Sequence, residues 1–253
     1  MRTLAAGAIA AGLVMVLTSA CGNPLGPQYE YEEQLYLEVN GAATAIVDTS
    51  IPALVALRGA KLDPSPNART DQAEVRRVFE ASGCRDARVG QPWRRDGRRF
   101  VQVRIETGDV RTLSQCGMLG WSTYTFERDE TGVHVEQKIG APAAGDPGHV
   151  NWDGSELVGF KLHLPSKIVY HNVRRLKDNT VGEIERGNIL TWEQTLADRR
   201  AGKTIDIDVR MEPRSILYRA IWLFGGSLAA AIVVLATIIW LVMLRGKKAA
   251  KNL

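Results

Sequence analysis

Between Ala220 and Leu244 the chain carries 25 consecutive residues without a charge. As a helix this run is about 37 Å long, enough to cross a hydrocarbon layer of about 30 Å with some tilt. It is the strongest single constraint on the architecture. Trp222 and Trp240 stand near its two ends, where indoles favour the membrane–water interface. Gly225, Gly226 and Ser227 are small, but no strict GxxxG accompanies them. We place a transmembrane helix at 218–244 and a basic tail at 245–253.

The opposite end has a different apolar segment. Arg2 supplies a positive start, and Leu4 to Leu17 is an uncharged run of 14 residues. That is short of the roughly 20 residues a spanning helix needs, and it fits the hydrophobic core of a secretory signal over 1–20. Thr18-Ser19-Ala20-Cys21 resembles a bacterial lipobox, although Thr18 stands where that motif usually has Leu. The resemblance implies that Cys21 receives a diacylglyceryl group and becomes the new N-terminus; the alternative is ordinary cleavage with Cys21 unmodified, or no cleavage. Residues 21–28 then form the lipidated cysteine and a Gly/Pro-rich tether. With Cys21 outside and a single crossing, Leu253 is cytoplasmic. The expected location is the plasma membrane, single-pass, with an extracytoplasmic ectodomain held close to the bilayer by both ends.

About 190 residues remain between the anchors, enough for one substantial domain. Tyr31 to Val39 alternates as a strand, and Asn40-Gly41 reads as a two-residue hairpin turn into Ala42 to Asp48. A helix from Ile51 to Leu57 contains Pro52 in its first turn and is closed by Gly59. Another runs from Asp71 to Ser82 and stops at Gly83. A basic hairpin turns at Asp96-Gly97, and Asp109 caps a short helix to about Gln115. Strands follow at Trp121 to Arg128 and Val133 to Ile139. The order strand, helix, strand, strand, helix, strand predicts an α+β fold. Over 29–140 it would be a split βαβ (ferredoxin-like) antiparallel sheet with both helices on one face. Residues 141–153 read as a Gly/Pro linker. Residues 154–214 read as membrane-proximal strands at Glu156 to Leu164, Thr180 to Glu185, Ile189 to Leu196 and Thr204 to Met211. These either extend the first sheet or form their own layer.

Phe160-Lys161-Leu162-His163-Leu164-Pro165 and Gly187-Asn188-Ile189-Leu190-Thr191-Trp192, followed by a strand and the terminal helix, resemble the LppM type of bacterial lipoprotein. The local likeness covers roughly Val158 to Leu244, and the rest agrees only in architecture. Asp71 to Arg111 has no counterpart there. The resemblance implies a cell-envelope protein that contacts lipids or glycolipids, with no enzymatic activity.

Cys84 and Cys116 each follow a predicted helix of the split βαβ unit, and in an oxidising compartment they are expected to pair. The alternative is two buried free thiols. No CxxC or HxH spacing points to a metal, and no cofactor fingerprint occurs. Arg94, Arg95, Arg98 and Arg99 form the centre of an Arg-rich hairpin with Trp93 and Phe100. It reads either as a surface for anionic headgroups or wall polymers, or as a solvated face with local ion pairs. Nucleic acid is disfavoured by compartment. His134, His149, His163 and His171 are scattered, and Asp146, His149 and Asp153 share a Gly/Pro loop. Trp121, Tyr124, Phe126, Trp152, Phe160, Tyr170 and Trp192 are core aromatics, or the lining of an apolar groove if one sheet face is uncovered.

No catalytic signature is present. The expected function is therefore a non-enzymatic envelope lipoprotein. Its partners are membrane lipids, an envelope glycolipid or a membrane protein. The alternatives are an assembly factor working through the terminal helix and a sheet edge, and a hydrolase of envelope polymers.

Overall fold

The computed structural model of the protein describes residues 27–249. The signal-like segment 1–20, Cys21 with most of the tether, and residues 250–253 lie outside the described residues. The strands are β1 (Tyr29–Leu37), β2 (Ala43–Ser50), β3 (Arg88–Val89), β4 (Trp93–Arg95), β5 (Arg98–Thr107) and β6 (Ser122–Arg128). They continue as β7 (Val133–Ile139), β8 (Leu157–His163), β9 (Ser166–His171), β10 (Ile189–Thr195) and β11 (Ile205–Ser215). The helices are α1 (Ile51–Arg58), α2 (Gln72–Ala81), α3 (Leu196–Arg200) and α4 (Ile216–Ala249), with a 3-10 helix at Val110–Gln115.

Two sheets share one core. The first has the order β10-β8-β1-β2-β5-β3, with β4 also pairing β5; the second has the order β6-β7-β11-β9. β1 and β8 run parallel, and the remaining pairs are antiparallel. Alternation explains which faces meet. Val101, Val103 and Ile105 of β5 are buried while Gln102, Arg104 and Glu106 are exposed. On β7, Val133, Val135, Gln137 and Ile139 point inward.

The mixed α+β class holds, but the split βαβ topology does not. The strands expected to complete that unit, β6 and β7, join β11 and β9 in the second sheet instead. The place beside β1 goes to β8, a strand from beyond the Gly/Pro-rich segment 141–153. That segment is itself bound to the core: Ala143 N donates to Leu57 O at 2.9 Å and Gly145 N to Ala56 O at 3.2 Å. Any Cβ at Gly145 would stand 2.1 Å from Val55 O, so only glycine fits this close approach. β8 and β10 extend the first sheet, whereas β9 and β11 lie in the second. Thr180 to Glu185 is not a strand; it makes only the isolated bridges Arg174–Val181 and Glu185–Ile189.

Local chemistry explains the helices. Ser50 caps α1 by accepting from Ala53 N at 3.1 Å, Pro52 sits in the first turn, and Gly59 closes the helix at φ 65°. All of α1 is buried, Arg58 included. α2 is capped by Asp71 and buries only Val75 and Phe79. The β1–β2 turn is one residue longer than predicted. Glu38 N still bonds Ala42 O at 2.8 Å, and Gly41 takes φ 90° behind a Val39-Asn40 turn.

β11 passes into α4 with no intervening loop, and Ile216 N donates to Pro165 O at 3.0 Å. Within α4, Ile216–Leu241 is a stretch of 26 residues long and apolar enough to cross a membrane, and its large hydrophobic side chains are exposed. The helix starts two residues before the expected boundary of 218 and continues through the start of the basic tail.

Candidate functional site

Three open clefts converge on Arg128, at the last residue of β6. The first, about 620 Å³, lies between the β1–β2 turn at Glu38 to Asn40, Pro165, and the β11–α4 junction from Pro213 to Tyr218. The second, about 640 Å³, is bounded by Arg128, Asp129, Glu130, Pro213 and Arg214. The third, about 330 Å³, runs from the β6–β7 turn to His134, Val169 and Arg210. Leu217 and Tyr218, in the first turn of α4, line the first cleft. The first cleft therefore sits where the folded domain meets the helix.

Arg128 and Arg214 are exposed there. Arg128 is steadied by one bond, from its NH1 to Val39 O at 3.2 Å. Arg214 has no ion pair among the described residues. Glu38 borders the same cleft, so the lining is mixed in sign. Asp129 is occupied by its own turn: it accepts from Thr131 N at 2.7 Å, Thr131 Oγ1 at 2.6 Å and Gly132 N at 2.9 Å. The Thr131 hydroxyl and these backbone amides hold its carboxyl below the usual carboxylate range. Just beyond Arg128, Tyr218 and Trp222 approach edge to face at 6.3 Å.

The Arg-rich hairpin is elsewhere. Leu37 pairs with Ala43 beside the cleft, while Tyr31 pairs with Thr49 and Ser50 with Phe100 at the far ends of the same strands. Arg94 to Arg99 thus sit at the end of β1 remote from α4. Three of the four arginines proposed for an anionic surface are drawn into the fold. Arg95 donates to Tyr29 O and stacks on Phe100, with its guanidinium 4.2 Å from the ring centre. Arg98 Nε lies 3.1 Å from Glu30 Oε2, whose side chain is 1% exposed. Arg99 is buried and donates to Thr70 Oγ1 at 2.9 Å and to Asp63 O. Only Arg94 remains exposed. For Arg98 the physical reason is Glu30, a buried acid that a cation stabilises, whereas Arg95 and Arg99 are held by Tyr29 O with the Phe100 ring and by Thr70 with Asp63 O.

Most of the candidate aromatics fill the interior, although Trp192 also borders a cleft beside Asn172 and Lys203. Tyr31, Trp121 and Phe160 interlock at centroid distances of 5.2 and 5.6 Å, and Tyr124 and Trp192 are buried around them. Phe126 and Trp152 are partly buried against this core, and Tyr170 is exposed. At the centre lies Glu33, 3% exposed. It accepts from Tyr31 OH at 3.1 Å, Trp121 Nε1 at 3.2 Å, Tyr124 OH at 3.2 Å and Gln137 Nε2 at 3.1 Å. Burial pushes its carboxyl up, against the pull of Trp121 and of Arg58. Arg58 and Arg199 lie on the Trp121 ring at 4.2 and 4.9 Å. Burial lowers both guanidiniums, Arg199 to about 10. This network joins the two sheets through polar groups.

Cys84 and Cys116 lie at disulfide distance, Cα to Cα 4.4 Å, after α2 and the 3-10 helix respectively. His163 stacks on Tyr36 at 3.8 Å and contacts Gln34 Oε1 at 3.1 Å; burial lowers its pKa. Asp146 and Asp153 bond their own turns, at Gly148 N and Ser155 N, and do not converge on His149.

Sequence reasoning missed two groups. Glu33 was readable, since it shares strand parity with Leu35 and Leu37 and so had to point inward. The second is His134, Glu136 and Asp208, where His134 Nε2 lies 2.9 Å from Asp208 Oδ1 and 3.8 Å from Glu136 Oε1. The His-x-Glu spacing was visible, but Asp208 enters only through the β7–β11 register.

No family model matches the chain, and no curated protein does. Among solved structures, the NMR structure of the folded domain of Mycobacterium tuberculosis LppM aligns over 76% of this chain and 95% of that one, at 10% identity and a TM-score of 0.39, a weak link at the level of fold.

Proposed function

We propose that the chain is a non-enzymatic envelope protein that binds anionic lipid headgroups at the outer surface of the plasma membrane. The site is the cleft between Arg128, Arg214 and the first turn of α4. In this reading Cys21 is lipidated, α4 crosses the bilayer once, and the ectodomain is extracytoplasmic. The carrying observation is the unbroken passage from β11 into α4, which makes Leu217 and Tyr218 walls of the cleft. If α4 spans, the cleft opens at headgroup depth. Guanidiniums are suited to phosphate because they donate in a planar fork, and Tyr218 and Trp222 have the amphipathic character of interfacial aromatics. The filled core favours headgroup contact over acyl-chain enclosure.

The test uses the full chain in nanodiscs of mixed phosphatidylglycerol and phosphatidylcholine. Native mass spectrometry after mild extraction should find phosphatidylglycerol retained preferentially. The Arg128→Ala/Arg214→Ala double variant should lose that preference. Equal retention of both lipids by the unmodified chain defeats the reading.

The assembly reading has its own support. β9 is an edge strand, with Val169 68% and Tyr170 47% exposed. A stoichiometric protein crosslinked in cells through Val169, rather than lipid adducts at Tyr218, would favour it.

A further inference from the structure

The second sheet has a polar outer face, and its centre carries an unusual charge arrangement. Glu136 on β7 and Asp208 on β11 are directly opposite each other in the ladder. Like charges in that relation repel, and a stable sheet normally places a cation or a neutral residue there. Neither nearby cation relieves them. Arg210, opposite His134, turns its guanidinium over Tyr170 at 5.6 Å. Lys138, the next outward residue of β7, makes no ion pair with either carboxylate among the described residues. The group between the two acids is the His134 imidazole.

We propose that His134, Glu136 and Asp208 form a binding site for a divalent cation of the zinc class. One ligand atom from each lies within 4.8 Å of the others. Tetrahedral zinc with bonds of about 2.0–2.2 Å sets its ligands about 3.4 Å apart. The observed separations from His134 Nε2, 2.9 and 3.8 Å, bracket that value. An imidazole nitrogen with two carboxylates suits zinc and its neighbours in the first transition row; calcium and magnesium prefer all-oxygen sets. All three side chains are half-exposed, so ions reach them directly. Three protein ligands leave a coordination position open toward the cleft that His134 shares with Val169 and Arg210.

The inference is independent of the headgroup reading, and its test needs no membrane lipid. Chelator-treated full chain in detergent micelles is titrated with zinc chloride in a calorimeter. The expected result is one zinc per chain, with calcium at the same concentration giving no heat. His134→Ala, Glu136→Gln and Asp208→Asn should each weaken binding about tenfold or more. His171→Ala, on the adjacent strand β9, should leave it unchanged. All four positions lie outside the core, and circular dichroism melts would confirm that the variants are folded. X-ray absorption of the bound zinc should show one imidazole and oxygen ligands, without sulfur. Absence of zinc binding overturns the site, as does affinity that survives the His134 and Asp208 substitutions or a spectrum dominated by sulfur.

Discussion

The amide of Ile216 donates to the carbonyl of Pro165 at 3.0 Å, tying the first residue of α4 to the loop between β8 and β9. With β11 running straight into the helix, this bond ties the first turn of α4 to the folded domain. Inserting Gly-Ser-Gly between Ser215 and Ile216 removes that registration while leaving both parts folded. In nanodiscs the insertion should abolish phosphatidylglycerol preference as fully as the Arg128→Ala/Arg214→Ala variant does. Undiminished preference after insertion would mean that the helix turn is not part of the site.

Arg98 and Arg94 should behave oppositely. Arg98 faces buried Glu30, which also accepts from Trp152 Nε1 at 3.0 Å. Arg98→Ala strands that carboxylate and should cost about 3–5 kcal/mol. Arg94→Ala, exposed and without an ion pair among the described residues, should change stability by less than about 0.5 kcal/mol. Urea unfolding followed by tryptophan fluorescence distinguishes the two. Similar losses for both would contradict the division between interior and surface arginines.

Glu33 should give the core a pH dependence. Burial raises its carboxyl above the ordinary 4.5. As pH climbs past that value the unfolded chain releases this proton first, so the folded state holds more protons and loses stability. The contribution is complete below 4.5 and declines as pH rises toward the folded pKa. Glu33→Gln should flatten this component of the pH–stability curve, at a fixed cost of about 1–3 kcal/mol for a donor left without an acceptor. A variant curve parallel to that of the unmodified chain between pH 4 and 8 would show that Glu33 does not titrate this way.

Cys84 and Cys116 are 32 residues apart in sequence, and closing such a loop stabilises by about 3–4 kcal/mol in the chain-entropy account. Cys84→Ser/Cys116→Ser should lower the melting temperature by several degrees. The unmodified chain should show the same shift under reducing agent, and the variant should show none.

Sequence periodicity located most elements because each face of a strand or helix meets one environment. β7, β11, α1 and α2 sit within a few residues of their expected bounds for that reason. Pairing partners were not readable. β8 shows the same alternation whether it lies beside β1 or forms another layer, and the contacts that accompany its place beside β1, such as Phe160 against Tyr31 and Trp121, join residues far apart in sequence. The inward turn of three of the hairpin's arginines was not readable, because net local charge says nothing about partners such as Glu30, distant in sequence and buried. The cleft at Arg128 and Arg214 joins residues from β6 and β11, whose proximity is a property of sheet order.

β1 also has a direction, and it bears on the N-terminal anchor. The strand begins at Tyr29 and ends at Leu37, close to the residues that start α4. Its eight steps cover about 26 Å at the usual strand rise. The stretch from Cys21 to Tyr29 also has eight steps, spanning at most about 29 Å when fully extended. An acyl group on Cys21 that shares a leaflet with α4 therefore leaves almost no slack. Double anchoring would hold the domain on a taut lead like a boat moored at bow and stern, whereas release of the acylated end would leave it free to swing about its helix.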